Sequence, residues 1–237
     1  MTHSRTRLKI CGITTEEDAL AAAELGADYL GFVCVSSSAR FIAPERIGEI
    51  ARKLPRKLQK VLVTLDMNPE KILGIMRKYS LDVIQLHGSE SPECVFSLSR
   101  EYPVWKALPC TEGSEEFFSE CAKIPGIPLL LDSKHGGSGT TCDWDAAKRI
   151  VDSGREVILA GGIGPDNLER AVSFVRPAVV DLSSAVESSP GRKDPEKLSA
   201  LSAILERIHS ASSEAPRAAD RTTALKTANI QKNGDKA

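Results

Sequence analysis

The chain is 237 residues long, 41% hydrophobic and 27% charged, enough apolar material to bury one large core as a single α/β domain rather than two independent ones. Its 31 basic and 32 acidic residues give a formal net charge of -1 and are spread along the sequence, which excludes the basic stripe of a nucleic-acid binder. The N-terminus MTHSRTRLKICGITT lacks the apolar stretch of a signal peptide, and no run approaches the roughly 20 apolar residues of a membrane span, so the protein reads as cytoplasmic, with neither nucleic acid nor a membrane as partner.

Taken in chain order, short apolar and β-branched runs at 8–11, 29–33, 61–65, 83–86, 104–107, 129–131, 157–160 and 179–182 predict eight strands. Between them, apolar residues return at helical spacing, as at 15–25, 44–54, 68–79 and 195–209. Thr14 and Thr15 precede Glu16, Glu17 and Asp18, which put acidic charge on a first helical turn; Gly26 provides a C-terminal stop, and Pro165 is placed to open the helix after the seventh strand. Strands of nearly continuous apolar character alternating with helices make a parallel sheet covered by helices, and eight such units close a barrel. The expected fold is therefore a single α/β (βα)8 TIM barrel over residues 1–210. Residues 211–237, SASSEAPRAADRTTALKTANIQKNGDKA from position 210 on, are polar and predict a disordered tail. A doubly wound open sheet would need a glycine-rich dinucleotide turn after the first strand, and CGITTEED has one glycine.

Six cysteines, at 11, 34, 94, 110, 121 and 142, lie far apart with no C-x-x-C pair and no clustered histidines, so no metal site is expected. In a barrel the reacting groups stand just after each strand. That filter selects Cys11, Arg40, His87, Asp132, Gly161, Gly162, Ser183, Ser184 and Glu187 among others. Gly161 and Gly162 in AGGIGPDNL and the hydroxyls of LSSAVE follow the seventh and eighth strands, where barrels often bind phosphate through backbone N–H groups, so a small phosphorylated substrate is expected. Lys9 precedes Cys11 by two positions on a strand, so both side chains project to one side; if that side is the lumen, the ammonium favours a thiolate at Cys11. From strand position alone, a working thiol and a small buried hydrophobe fit Cys11 equally well. Asp132 ends the run PLLLD, an odd place for a carboxylate unless it is solvated, paired or reactive, and a loop-anchoring role is the alternative. Asp143, before a helical pattern, suits the cap role better. Arg40 is a candidate anion anchor and His87 a candidate donor, though a solvated arginine and a backbone-satisfying histidine read equally well.

Taken together, KICGIT, GFVCVSSSARFI, IQLHG, LLLDSKHGGSGTTCDW, AGGIGPDNL and VVDLSSAVESSPGRKD resemble, in order, the signature segments of the phosphoribosylanthranilate isomerase family, across residues 7–209. The resemblance implies an Amadori rearrangement in tryptophan biosynthesis without metal or organic cofactor. It implies Cys11 as general base, Asp132 as general acid, Arg40, His87 and Asp181 as substrate contacts, and Gly161, Gly162, Ser183, Ser184 and Ala185 as the phosphate site. It also implies a mobile loop around 136–139. A monomer and a homodimer fit equally. Three positions depart from the family pattern: Ala39 replaces the proline of S-P-R, Ala185 the glycine of S-G-V-E, and Cys142 the phenylalanine of F-D-W. Ala185 would weaken the phosphate loop if the backbone there requires a positive φ.

Overall fold

The computed structural model describes residues 5–110, 113–133 and 142–214. Strands β1 (Arg7–Cys11), β2 (Tyr29–Val33), β3 (Gln59–Thr64), β4 (Val83–Leu86), β5 (Val104–Pro109), β6 (Leu129–Asp132), β7 (Val157–Leu159) and β8 (Val179–Leu182) pair in parallel, and β8 closes on β1. Helices α1 (Glu16–Glu24), α2 (Pro44–Ala51), α3 (Pro69–Tyr79), α4 (Pro92–Ser99), α5 (Glu115–Ala122), α6 (Trp144–Asp152), α7 (Leu168–Val175) and α8 (Pro195–Glu214) follow the strands in turn. Between β8 and α8 the chain inserts a 3-10 turn (Ser184–Val186) and a small antiparallel hairpin, β9 (Glu187–Ser189) and β10 (Arg192–Lys193). The predicted strands are all present, and the fold is the expected TIM barrel.

Pleating divides each strand between two cores. Residues such as Leu8, Ile10, Leu30, Leu62 and Ile84 point outward and pack under the helices, whereas Tyr29, Val61, Val83, Trp105, Leu130, Ile158 and Val179 fill the lumen. Because strands are buried on both faces, their sequences read as continuous apolar runs rather than alternating ones. Lys9, Gln85 and Asp181 are the polar exceptions inside the barrel strands that matter for the site, and all three are buried.

Helix starts follow the expected chemistry where a side-chain acceptor is present. Thr15 accepts from the Asp18 N–H at α1, and Asp143 accepts from the Ala146 N–H at α6. Pro165 does not open α7. Asn167 N–H donates to the Gly164 carbonyl at 3.1 Å and Asn167 Oδ1 accepts from Gly164 N–H at 2.9 Å. Residues 164–167 thus close a β-turn with Pro165 at its second position, and the helix begins at Leu168. The last helix runs to Glu214, past the expected end at 209 and four residues into the segment read as tail. The rest of that segment, 215–237, and the expected mobile loop 136–139 lie outside the described residues.

Candidate active site

The C-terminal ends of the strands surround a cleft of about 340 Å³. Cys11, Arg40, His87, Asp132, Gly161, Gly162, Asp181, Ser183 and Ser184 all line it, joined by Gln85 from β4. Ala185 does not line the cleft: it sits in the 3-10 turn, where its methyl faces Gly164. Its φ is not positive, since Asp66, Ser80 and Arg176 are the described non-glycine residues in that region, so an alanine costs this backbone nothing in φ.

Cys11 closes β1 with its side chain in the lumen core. The register pairs it with Gly31 on β2, and a Cβ at Gly31 would stand 2.6 Å from Cys11 Sγ. The missing side chain on the neighbouring strand is what gives the thiol its space. Two residues earlier on the same face, Lys9 is fully buried, and its Nζ lies 2.6 Å from Asp181 Oδ2. Burial acts against the Lys9 ammonium, but Asp181 and then Cys11 outweigh it and hold the lysine above its ordinary value. Lys9 is therefore charged. The expectation that this charge makes Cys11 a ready thiolate needs correcting: burial pushes the thiol above its ordinary range, and the attraction of Lys9 opposes that push without overcoming it. Burial also raises Asp181 despite Lys9. Among the described residues its second oxygen, Oδ1, has no hydrogen-bond partner, and the residue faces the cleft.

Asp132 ends β6 with Oδ1 accepting from the Ser133 N–H at 2.7 Å. Burial raises its carboxyl, opposed by the Ser133 N–H and by Lys9. The other oxygen, Oδ2, stands 3.6 Å from His87 Nε2. Burial lowers the imidazole, and Lys9 adds to that effect, so His87 is neutral. The Gln85 amide nitrogen lies 3.1 Å from Nδ1; when it donates there, the ring proton is on Nε2 and faces the Asp132 side of the cleft. Gln85 Oε1 has no partner among the described residues. These groups make a site with a carboxyl raised by burial, a neutral imidazole and a thiol on one cleft.

At the next edge of the cleft, Gly161 and Gly162 follow β7 with φ of 73° and 67°. Two successive positive φ values admit glycine readily and turn the backbone tightly toward the helix start. A Cβ at Gly161 would also lie 2.5 Å from Ser133 N, so its absence lets the β6 and β7 loops meet beside Asp132. Ser183 and Ser184 approach from β8, and Ser183 Oγ donates to the Cys11 carbonyl at 3.3 Å. Glycine backbone and serine residues lining this edge of the cleft suit an anion. Arg40 comes from the β2 loop. It is the one lysine or arginine among the described lining residues, and it forms a bidentate pair with Glu187.

Residues 8–203 match the family model for N-(5'-phosphoribosyl)anthranilate isomerase. The chain belongs to that family. A relative of that name from Citrifermentans bemidjiense is 44% identical over 207 residues, covering 86% of this chain and 98% of the relative. Among solved structures, phosphoribosylanthranilate isomerase from Thermus thermophilus superposes with a TM-score of 0.80 at 46% identity, covering 86% of this chain and all of that one. Another isomerase structure, in complex with reduced 1-(o-carboxyphenylamino)-1-deoxyribulose 5-phosphate, gives a TM-score of 0.77 at 35% identity and covers 85% and 98%.

Within this isomerase frame, sequence reasoning missed Gln85 and Lys193 and left Glu187 without a role. Gln85 carried a signal: Val83, Gln85 and His87 share the period of 2 that places them on one strand face, and that face is the lumen. Lys193 carried none, because the segment ESSPGRK reads as a polar turn. Its burial goes with its pairing opposite Glu187 and its bonds to the Cys11 and Ser183 carbonyls. No described helix is long and apolar enough to cross a membrane.

Proposed function

We propose that the chain is a cytoplasmic isomerase that converts N-(5-phosphoribosyl)anthranilate into 1-(o-carboxyphenylamino)-1-deoxyribulose 5-phosphate, with Asp132 as acid and Cys11 as base. The observation that carries the roles is a carboxyl raised by burial and a thiol beside a buried ammonium on one cleft. Anion-ready backbone lies along one edge of that cleft, and a fixed arginine stands in its lining.

The substrate has two anions, a phosphate and a benzoate carboxylate. Gly161, Gly162, Ser183 and Ser184 take the phosphate, and Arg40 takes the carboxylate. The sugar then lies across the middle of the cleft, where Asp181 Oδ1 and the His87 ring N–H meet its hydroxyls. Asp132 gives its proton to the ring oxygen as the C1–O bond breaks, and the lone pair of the aniline nitrogen forms an iminium at C1. That cation acidifies the C2 proton. Cys11 removes it, the C2–H electrons move to the iminium, and the resulting enolamine tautomerises to the ketone. In the productive state Asp132 holds its proton and Cys11 has released its own to solvent, so the thiolate is free to take the C2 proton. Burial favours the first, and Lys9 with the developing iminium charge favours the second. The substrate nitrogen is the electron sink, so no step needs a cofactor.

Purified protein incubated with phosphoribosylanthranilate should consume its anthranilate-type fluorescence in a first-order decay well above the spontaneous rate. A folded protein that leaves the signal unchanged would overturn this reading.

A further inference from the structure

Glu187 and Lys193 lie opposite one another in the β9–β10 hairpin. Glu187 accepts three bonds from Arg40, Nε to Oε1 at 2.9 Å, Nε to Oε2 at 3.2 Å and Nη2 to Oε2 at 2.7 Å. Those bonds use one edge of the guanidinium and leave Nη1 outside the pair. The same carboxylate accepts from Lys193 Nζ at 2.9 Å. Lys193 Nζ also donates to the Cys11 carbonyl at 2.6 Å. The Glu187 and Lys193 side chains are 4% and 1% exposed, so the bridge is held in one geometry by packing as well as by charge. A Cβ at Gly12 would meet Arg40 Cδ at 2.6 Å, so the arginine stem lies directly on the loop that follows Cys11.

We propose that Glu187 is a positioning residue that fixes Arg40 for the substrate carboxylate and, through Lys193, ties that anchor to the strand end carrying Cys11. The inference rests on the reading of Arg40 as that anchor. The bond pattern supports it: one carboxylate holds both basic side chains at once, and Arg40 Nη1 is left outside the pair on the cleft lining. The hairpin thus sets the distance between the aromatic end of the substrate and the thiol.

A double-mutant cycle tests this. Glu187→Gln should raise KM for phosphoribosylanthranilate at least about tenfold, change kcat by less, and leave inhibition by inorganic phosphate within about twofold of wild type. In an Arg40→Met background the same substitution should add less than about twofold, since its effect acts through Arg40. Should Glu187→Gln fail to fold because Lys193 is stranded, Glu187→Gln with Lys193→Met removes that cation, and the same cycle is read from it. If Arg40→Met raises KM while Glu187→Gln does not, or if the two effects multiply, the positioning role is overturned and the anchor stands. If Arg40→Met leaves KM unchanged, the anchor assignment itself is wrong and the proposal falls with it.

Discussion

Cys11 occupies space that Gly31 leaves open. A methyl at position 31 would stand 2.6 Å from Sγ, so Gly31→Ala should push the thiol aside and lower kcat at least about tenfold while KM changes little, because displacements on the order of 1 Å are costly to a reacting group. Steady-state kinetics check it, and an unchanged kcat would show that the thiol position does not matter. Asp132 makes an opposite kind of prediction. Its carboxyl is raised in the fold by burial, so the ionised form opposes folding. That group's contribution is fully favourable below the unfolded value and is lost as pH rises through the folded one. Asp132→Asn, which keeps an acceptor for the Ser133 N–H, should therefore raise the thermal midpoint at pH 7, with the gain shrinking as pH falls toward 4. A lowered midpoint at pH 7 would contradict the assigned direction.

At the scale of elements, the loops after β7 and β8 divide the labour. Gly161 holds φ at 73° and leaves no room for a side chain beside Ser133. Gly161→Ala should cost about 1–2 kcal/mol from the left-handed backbone alone and weaken inhibition by inorganic phosphate, which equilibrium unfolding and an inhibition series measure separately. The strands were legible because burial on both faces writes itself as uninterrupted apolar runs. α1 and α6 were legible because Thr15 and Asp143 supply cap acceptors that leave a local pattern. Pro165 misled because proline fits the second position of a β-turn as well as the first turn of a helix, and Asn167, two residues on, decided between them through its bond to Gly164. The hairpin was not legible: the pairing of Glu187 with Lys193 depends on Arg40 and Cys11, far away in sequence.

The lumen of the barrel combines apolar packing with a few buried polar side chains. Tyr29 and Trp105 pack edge to face with ring centres 4.9 Å apart among the lumen's apolar side chains. In the strand register Lys9 stands beside Tyr29 and Asp181, and Gln85 beside Trp105, and Gln85 and Asp181 line the open cleft. The apolar surroundings raise Asp132, and Asp181 holds Lys9 charged against the cost of its burial. Sequence placed the strand-end residues on one rim, since a closed barrel leaves them nowhere else to go. The state of Cys11 was not readable in that way: Lys9 two residues away was visible, but the burial that outweighs it is a property of the assembled molecule. The central claim is that Asp132 and Cys11 carry the proton transfers while other groups hold the substrate. Turnover of phosphoribosylanthranilate and binding of a reduced product analogue, measured side by side for wild type, Cys11→Ala and Asp132→Asn, test it most directly. Each variant should lose at least roughly a hundredfold in kcat and still bind the analogue; near-normal turnover by folded Cys11→Ala would show that another residue is the base.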